Sequence, residues 1–132
     1  MTFLLDTNIC SAHMRRPAGM AHRFFQFQGR LATSTIVLGE LYAGAYMLGG
    51  SVRLLASIAD LVQDLQVIPF DAGCAKEFGK LRGHLHNNGI AVSPLDLQIA
   101  AVAIANDLIL VTNNTKDFRH IPALKLDDWL TT

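Results

Sequence analysis

Cysteine, tryptophan and long apolar runs are scarce in this chain of 132 residues. The two cysteines, Cys10 and Cys74, stand far apart and form no C-x-x-C pair, so we expect buried free thiols and no disulfide scaffold. Polar residues interrupt every apolar run before it reaches the length of a membrane span. The N-terminus, MTFLLDTN, has no basic region before an apolar stretch, which predicts a cytoplasmic protein without a signal peptide.

An excess of charge is also missing, since eleven Lys and Arg balance eleven Asp and Glu. Hydrophobic residues make up 51% and charged residues 17%, which excludes disorder and predicts a single domain over residues 1–132. The neutral total leaves nucleic acid open as a partner, because the distribution of charge matters more than its sum. If four acids share one pocket, seven remain against eleven basic residues, and the pocket would have a basic rim.

Short apolar runs alternate with helical patterns along the chain. Helices are indicated by apolar residues at i, i+3, i+4 spacing, with Ser51 and Asp71 suited to cap two of them and Gly49-Gly50 at the tip of a helical hairpin. This alternation predicts an α/β fold with a parallel sheet and helices on both of its faces. Five runs are typical of strands: Phe3–Leu5, Leu31–Thr33, Val67–Ile68, Leu108–Val111 and Leu124–Leu126.

Four acidic residues stand where a parallel sheet would gather them, near the carboxyl ends of its strands: Asp6, Glu40, Asp96 and Asp117. Each has a simpler interpretation, which stays open at this point. Asp6 suits the N-cap of the first helix, and Asp96 fits a capping box with Ser93. Asp117 fits a solvated turn. Glu40 would have small or apolar neighbours on its helix, which is unusual for a surface glutamate.

Acids gathered in one cleft predict a cation, because carboxylates repel each other. All four candidates offer oxygen ligands, and no His or Cys pair stands at zinc spacing. An oxygen-only site favours Mg²⁺ or Mn²⁺.

Other residues that carry chemistry give weaker signals. The five histidines are expected on the surface, and the sequence has no nucleophile elbow, P-loop or dinucleotide fingerprint. A group of aromatic residues could stack on bases, but at helical spacing it is more typical of a core: Phe24, Phe25, Phe27, Tyr42 and Tyr46.

Four motifs occur in a fixed order and span essentially the whole chain: LLDTNI, GEL, DLQIAA and LVTNNTKDF. In this order they resemble the PIN domain, and most closely the VapC ribonuclease toxins of bacterial toxin–antitoxin pairs. The closing IPALKLDDW is also similar to that family. The resemblance implies a three-layer α/β/α sandwich with strand order 3-2-1-4-5, in which Asp6 and Asp117 would meet.

The resemblance also assigns roles to individual residues. It matches the four catalytic acids of the family to Asp6, Glu40, Asp96 and Asp117. Asp6 and Asp96 would hold a Mg²⁺ ion. Asp117 and Glu40 would bind the same ion directly, bind it through water, or bind a second ion. The supporting polar positions match Asn8, Thr112 and Asn114.

The activity implied is that of a metal-dependent endoribonuclease toxin, in which a metal-activated water attacks the phosphodiester and leaves 5′-phosphate and 3′-hydroxyl ends. Its expected partners are an RNA substrate, with tRNA as one candidate, a VapB-like antitoxin and a second copy of the chain, but no membrane. The hairpin Ile36–Leu65 is rich in apolar residues, which suggests a surface for the antitoxin. Five basic residues are candidates for RNA backbone contacts: Arg15, Arg16, Arg23, Lys116 and Arg119.

Two other functions compete with the ribonuclease. A PIN fold that binds RNA or a partner without cutting would lack one of the acids, and none is missing here. A receiver-like signalling domain also gathers acids at strand ends, but it needs a lysine at the end of its last strand. Lys125 is instead predicted within that strand.

Overall fold

The computed structural model describes residues 2–130, apart from the side chain of Pro17. Its five strands form one parallel sheet in the order β3-β2-β1-β4-β5, and this confirms the predicted strand order. Leu4 of β1 is in register with Ala32 of β2 on one side and with Leu110 of β4 on the other. The strands are β1 (Phe3–Leu5), β2 (Leu31–Ser34), β3 (Gln66–Ile68), β4 (Ile109–Val111) and β5 (Lys125–Asp127).

Helices fill the connections and flank this sheet. Side chains suited to N-caps begin several of them: the Ser51 hydroxyl accepts a hydrogen bond from Leu54 N–H at 3.3 Å, and the Asp71 carboxylate accepts one from Cys74 N–H at 3.0 Å. The helices are α1 (Thr7–Arg15), α2 (Pro17–Gln26), α3 (Thr35–Met47), α4 (Val52–Gln63), α5 (Ala72–Asn87), α6 (Pro94–Ala105) and α7 (Thr115–Phe118).

The helical hairpin is confirmed as α3 and α4. Gly49 and Gly50 join the two helices with φ values of +73° each, in the left-handed region that glycine occupies at little cost. Five of the ten predicted strand ends agree with the observed ends, and the other five differ by one residue, because backbone pairing, and not apolar character alone, decides where a strand begins and ends.

The core lies on both sides of the central strands. Every residue of β1 is buried, and α6 contributes six buried residues, from Leu97 to Ala103. Both cysteines are buried free thiols, as predicted. Burial raises the pKa of Cys10 to about 12, so this thiol is a packing group and not a nucleophile.

Three of the aromatic residues expected in the core are on the surface instead, and Tyr42 is the least exposed of them. Phe25 is 83% exposed and Tyr46 is 63% exposed, because helical spacing does not show which face of α2 or α3 meets the sheet. Phe27 does pack inward, with its ring centroid 4.4 Å from that of Phe3. Within residues 2–130, no helix is long and apolar enough to cross a membrane.

The predicted domain limits, residues 1 and 132, lie outside the described residues.

Candidate active site

The site lies where the strand order changes direction, between β1 and β4. Asp6 follows β1 directly, and its N–H donates a hydrogen bond to the carbonyl of Val111 at 3.0 Å. Thr112 follows β4 at the same edge of the sheet. Ligands of open parallel sheets bind at such a switch point, beyond the carboxyl ends of the strands.

Asp6 is held at both of its carboxylate oxygens. Its Oδ1 accepts a hydrogen bond from Thr7 N–H at 2.8 Å, and its Oδ2 accepts one from the Thr112 hydroxyl at 2.8 Å. Only 5% of the residue is exposed. Asp6 is thus the N-cap of α1 and a member of the acidic site at the same time, so the two interpretations of this residue are compatible.

Burial raises the pKa of the Asp6 carboxyl above its ordinary value, and the charges of Asp96 and Glu40 raise it further. The hydrogen bonds from Thr112 and Thr7 act in the opposite direction, but they do not offset the burial. A carboxylate in this environment is more stable when a cation compensates for its charge.

Three of the predicted acids line one cleft with a volume of about 340 Å³: Asp6, Glu40 and Asp96. Glu40 reaches it from α3, and its Oε1 accepts a hydrogen bond from the Thr7 hydroxyl at 2.6 Å. Asp96 reaches it from the first turn of α6. Burial raises the pKa of the Asp96 carboxyl, the Ser93 hydroxyl lowers it, and the charge of Asp117 raises it.

Within residues 2–130 no hydrogen bond joins Asp6 to Asp117, and their expected meeting stays a prediction. Asp117 is exposed on α7, and among residues 2–130 it does not appear in the lining of the cleft. The residue from the β4 side that meets Asp6 is Thr112, because the chain turns away into α7 immediately afterwards. Asp117 stays close enough for its charge to act on Asp96, which places it at the rim.

The supporting polar residues hold the two strand ends together. The Asn8 Oδ1 accepts a hydrogen bond from Asn113 N–H at 3.3 Å, which ties α1 to the loop after β4. The Thr112 hydroxyl accepts one from Asn114 N–H at 3.1 Å while it donates to Asp6. Asn8 and Asn114 also line the cleft.

Thr7 and Ser11 line the cleft as well, and the sequence did not indicate either. The sequence does hold a signal for Ser11, because it stands three residues after the predicted Asn8 and therefore on the same side of α1.

Of the predicted RNA-contacting residues, Arg15 lines the cleft. Arg23 instead lies over the Trp129 ring, with its guanidinium carbon 5.4 Å from the ring centroid, and so packs on the protein itself. The Arg119 side chain contacts neighbouring His120.

A ready-made cluster of metal ligands is not present among residues 2–130, where no three Asp, Glu, His or Cys side chains are arranged to hold an ion together. Asp6, Glu40 and Asp96 therefore line a shared space without converging on one point.

A larger cleft of about 620 Å³ lies at the amino ends of β2 and β3, near Phe24, Gln28 and Asp64. Size alone would favour it as the site. We place the active site in the smaller cleft because three carboxylates, one of them buried, face that space.

Comparison with known proteins identifies the family. The PIN domain model matches residues 3–124. The tRNA(fMet)-specific endonuclease VapC of Shigella flexneri is 38% identical over 130 residues, which cover 98% of each chain. The chain belongs to the VapC family of PIN-domain ribonucleases. Ribonuclease VapC2 of Haemophilus influenzae is 34% identical to this VapC-family chain over 131 residues, 98% of this chain and 99% of the relative.

Solved structures agree with this assignment. The DNA-bound VapBC complex from Salmonella typhimurium matches the VapC-family chain with a TM-score of 0.92 and 34% identity, over 98% of each chain. The predicted family, the fold class and the function as the endoribonuclease toxin of a toxin–antitoxin pair are thereby confirmed.

The receiver-like alternative is wrong. Lys125 begins β5, at the end of the strand that lies away from the acids, and its ammonium pairs with Asp107 at 3.1 Å. The non-catalytic alternative would require a lost acid, and all four acids are present.

Proposed function

We propose that this VapC-family chain hydrolyses RNA with the help of a divalent cation, Mg²⁺ or Mn²⁺, bound in the acidic cleft. The observation that carries the proposal is the environment of Asp6. Its carboxylate is buried, fixed at both oxygens and repelled by the charges of Glu40 and Asp96. A cation beside it would compensate for the burial and for the repulsion together.

The residues of the cleft fit such an ion. Carboxylate, hydroxyl and amide oxygens line it, and these suit Mg²⁺ and Mn²⁺. Mg²⁺ usually keeps several waters and takes only one or two protein carboxylates, so it does not need three acids that converge. Asp6 and Asp96 would hold the ion, and Glu40 and Asp117 would act directly, through water, or on a second ion.

When bound, the ion lowers the pKa of a coordinated water and neutralises charge on the scissile phosphate. The chain supplies the orientation of the reacting groups. Thr7 and Thr112 fix the Asp6 carboxylate, and Glu40 positions the attacking water. Arg15, at the cleft wall, contacts the RNA backbone. Because water and not the ribose 2′-hydroxyl attacks, the products carry 5′-phosphate and 3′-hydroxyl ends.

We propose tRNA as the substrate class. The relatives from Shigella flexneri and Salmonella typhimurium, 38% and 34% identical, are both named tRNA(fMet)-specific endonucleases. The similarity extends over 98% of each chain, which includes the whole of the cleft.

The test is cleavage of a total tRNA pool by protein dialysed against EDTA, then supplied with Mg²⁺ or Mn²⁺. We expect cleavage to stop in EDTA and to return with the metal. Ligation and phosphatase treatment of the fragments should identify 5′-phosphate ends. Undiminished cleavage in EDTA, or fragments with 2′,3′-cyclic phosphate ends, would contradict the proposal.

An antitoxin is the proposed protein partner. A groove of about 570 Å³ runs between α1, α3 and α4, lined by apolar residues such as Leu41, Leu48 and Ile58, and it shares Glu40 and Arg15 with the acidic cleft. Leu48 in this lining is 70% exposed, and Met47 next to it along the chain is 83% exposed. An apolar segment of a VapB-like protein that ended in a basic residue would cover the groove and reach the acids.

The antitoxin partner is tested by expression of this chain alone and together with the reading frame upstream of its gene, whereas the homodimer and the cytoplasmic location stay predictions. We expect toxicity in the first case, and copurification with loss of ribonuclease activity in the second. A harmless, soluble protein with no copurifying neighbour would contradict this part of the proposal.

A further inference from the structure

Thr7 lies between two acids of the cleft and donates a hydrogen bond to each. Its N–H donates to the Asp6 Oδ1 at 2.8 Å, and its hydroxyl donates to the Glu40 Oε1 at 2.6 Å. The second bond joins the first residue of α1 to the middle of α3, across 33 positions of sequence. It is short, as is typical of a hydroxyl bound to an ionised carboxylate.

Glu40 has little else to hold its side chain in place. Within residues 2–130, the Thr7 hydroxyl is the hydrogen-bond partner that the Glu40 carboxylate has. Glu40 is half-buried at the wall of the acidic cleft, so part of its side chain meets solvent. A partly solvated glutamate with three rotatable bonds populates several rotamers unless a hydrogen bond restrains it.

Electrostatic repulsion makes such a restraint necessary. The charge of Glu40 raises the pKa of the Asp6 carboxyl, so the two groups repel each other across the cleft. Without a donor between them, Glu40, which is the less buried of the two, would turn toward solvent. The Thr7 hydroxyl offsets the repulsion at Oε1 and leaves the second oxygen of Glu40 for the cleft.

We propose that Thr7 is a positioning residue of the ribonuclease, which acts through Glu40 and keeps its carboxylate at the cleft. This inference rests on the proposed function, in which Glu40 orients the attacking water. In this proposal Thr7 affects the reaction only through Glu40. Its main-chain N–H is available to Asp6 whatever the side chain is, so the hydroxyl can be tested separately.

The variants Thr7→Val and Thr7→Ser separate the hydroxyl from the shape of the side chain. Thr7→Val keeps the branched shape and the N–H but loses the donor, whereas Thr7→Ser keeps the donor. We expect kcat on the tRNA pool with saturating Mg²⁺ to fall about 10–100-fold in Thr7→Val, as is typical when the partner of a metal-site ligand is removed, with KM little changed. Thr7→Ser should restore most of the rate.

Thr35→Val is the matched control. Thr35 is also the first residue of a helix, and its hydroxyl accepts a hydrogen bond from Phe70 N–H at 3.2 Å on an exposed surface. Its loss removes a hydroxyl of the same kind but should leave kcat unchanged. Thr7→Ala replaces Thr7→Val if the latter does not fold.

A readout independent of catalysis is the free energy of unfolding in urea, measured in EDTA for wild type, Thr7→Val, Glu40→Ala and the double variant. If the hydrogen bond couples the two residues, the change in unfolding free energy of the double variant should differ from the sum of the changes in the two single variants. Wild-type kcat in Thr7→Val, while Glu40→Ala is inactive, would overturn the inference and leave the proposed function standing. Additive unfolding energies would overturn it as well. A wild type that is inactive with Mg²⁺ would instead overturn the proposed function, and this inference with it.

Discussion

At the scale of single residues, Asp6 shows how one side chain serves both the fold and the site. It caps α1 and faces the cleft, and burial raises its pKa. The folded state therefore holds the Asp6 proton to a higher pH than the unfolded chain, whose carboxyl titrates near 3.8. Between 3.8 and the higher pKa of the folded state, the folded protein binds more protons, so stability without metal falls as the pH rises through this window.

We predict that Asp6→Asn is as stable as wild type or more stable at pH 7 in EDTA, with a flatter dependence on pH between about 4 and 7. Urea unfolding at several pH values measures this. Asp71→Asn is the control, because its effect on the pH dependence of stability should have the opposite sign. Hydrogen bonds from Cys74 lower the pKa of Asp71. The Asp71 carboxylate therefore stabilises the folded protein above the unfolded pKa, and this stabilisation is lost as the pH falls. A large loss of stability in Asp6→Asn at pH 7 would contradict the account.

At the start of α6, the role of N-cap and the role of metal ligand belong to different residues, Ser93 and Asp96. The Ser93 hydroxyl accepts a hydrogen bond from Asp96 N–H at 3.2 Å, so the cap of α6 belongs to Ser93. Burial and the charge of Asp117 raise the pKa of Asp96, which means that its negative charge destabilises the metal-free protein.

We predict that Asp96→Asn melts at an equal or higher temperature than wild type in EDTA and does not cut RNA. Mg²⁺ should raise the melting temperature of wild type but hardly change that of the variant. Ser93→Ala should lose about 1 kcal/mol of stability and keep most of its activity. Early melting of an Asp96→Asn protein that still cuts RNA would show that Asp96 is only a cap.

At the scale of helices and strands, most features were predictable because their signals are local. Caps at Ser51 and Asp71, and the glycine pair between α3 and α4, depend on a few neighbouring residues. Which face of a helix meets the sheet depends on distant residues, and so the prediction of a core position was wrong for Phe25, Tyr42 and Tyr46. The Thr7–Glu40 contact joins two elements and had no local signal either.

Two glycines allow a prediction at this scale. Gly49 has a φ of +73°, whereas Gly83 lies inside α5, and a side chain built at either position meets no atom within 4 Å. Gly49→Ala should therefore destabilise the protein by roughly 1 kcal/mol through backbone strain alone. Gly83→Ala should stabilise it by about 0.4–1 kcal/mol. Urea unfolding of both variants is the measurement. If both substitutions changed the free energy of unfolding in the same direction, the backbone conformations assigned to Gly49 and Gly83 would be contradicted.

At the scale of the whole molecule, the order of the strands creates the site. Placing β1 beside β4 brings the start of LLDTNI next to the start of LVTNNTKDF, although 106 positions separate Asp6 from Thr112. The sequence motifs predicted this arrangement through a family resemblance. They did not predict that Thr112 would take the place beside Asp6 and leave Asp117 at the rim, because the short helix α7 turns the chain there.

The central claim is that the cleft around Asp6 cleaves RNA only with a divalent cation. The most direct measurement is the rate of tRNA cleavage by wild type and Asp6→Asn, at equal concentrations of folded protein, in EDTA and after addition of Mg²⁺. We predict cleavage by wild type with Mg²⁺ and none in the other three conditions. Equal rates for the two proteins, or a wild-type rate that EDTA leaves unchanged, would contradict it.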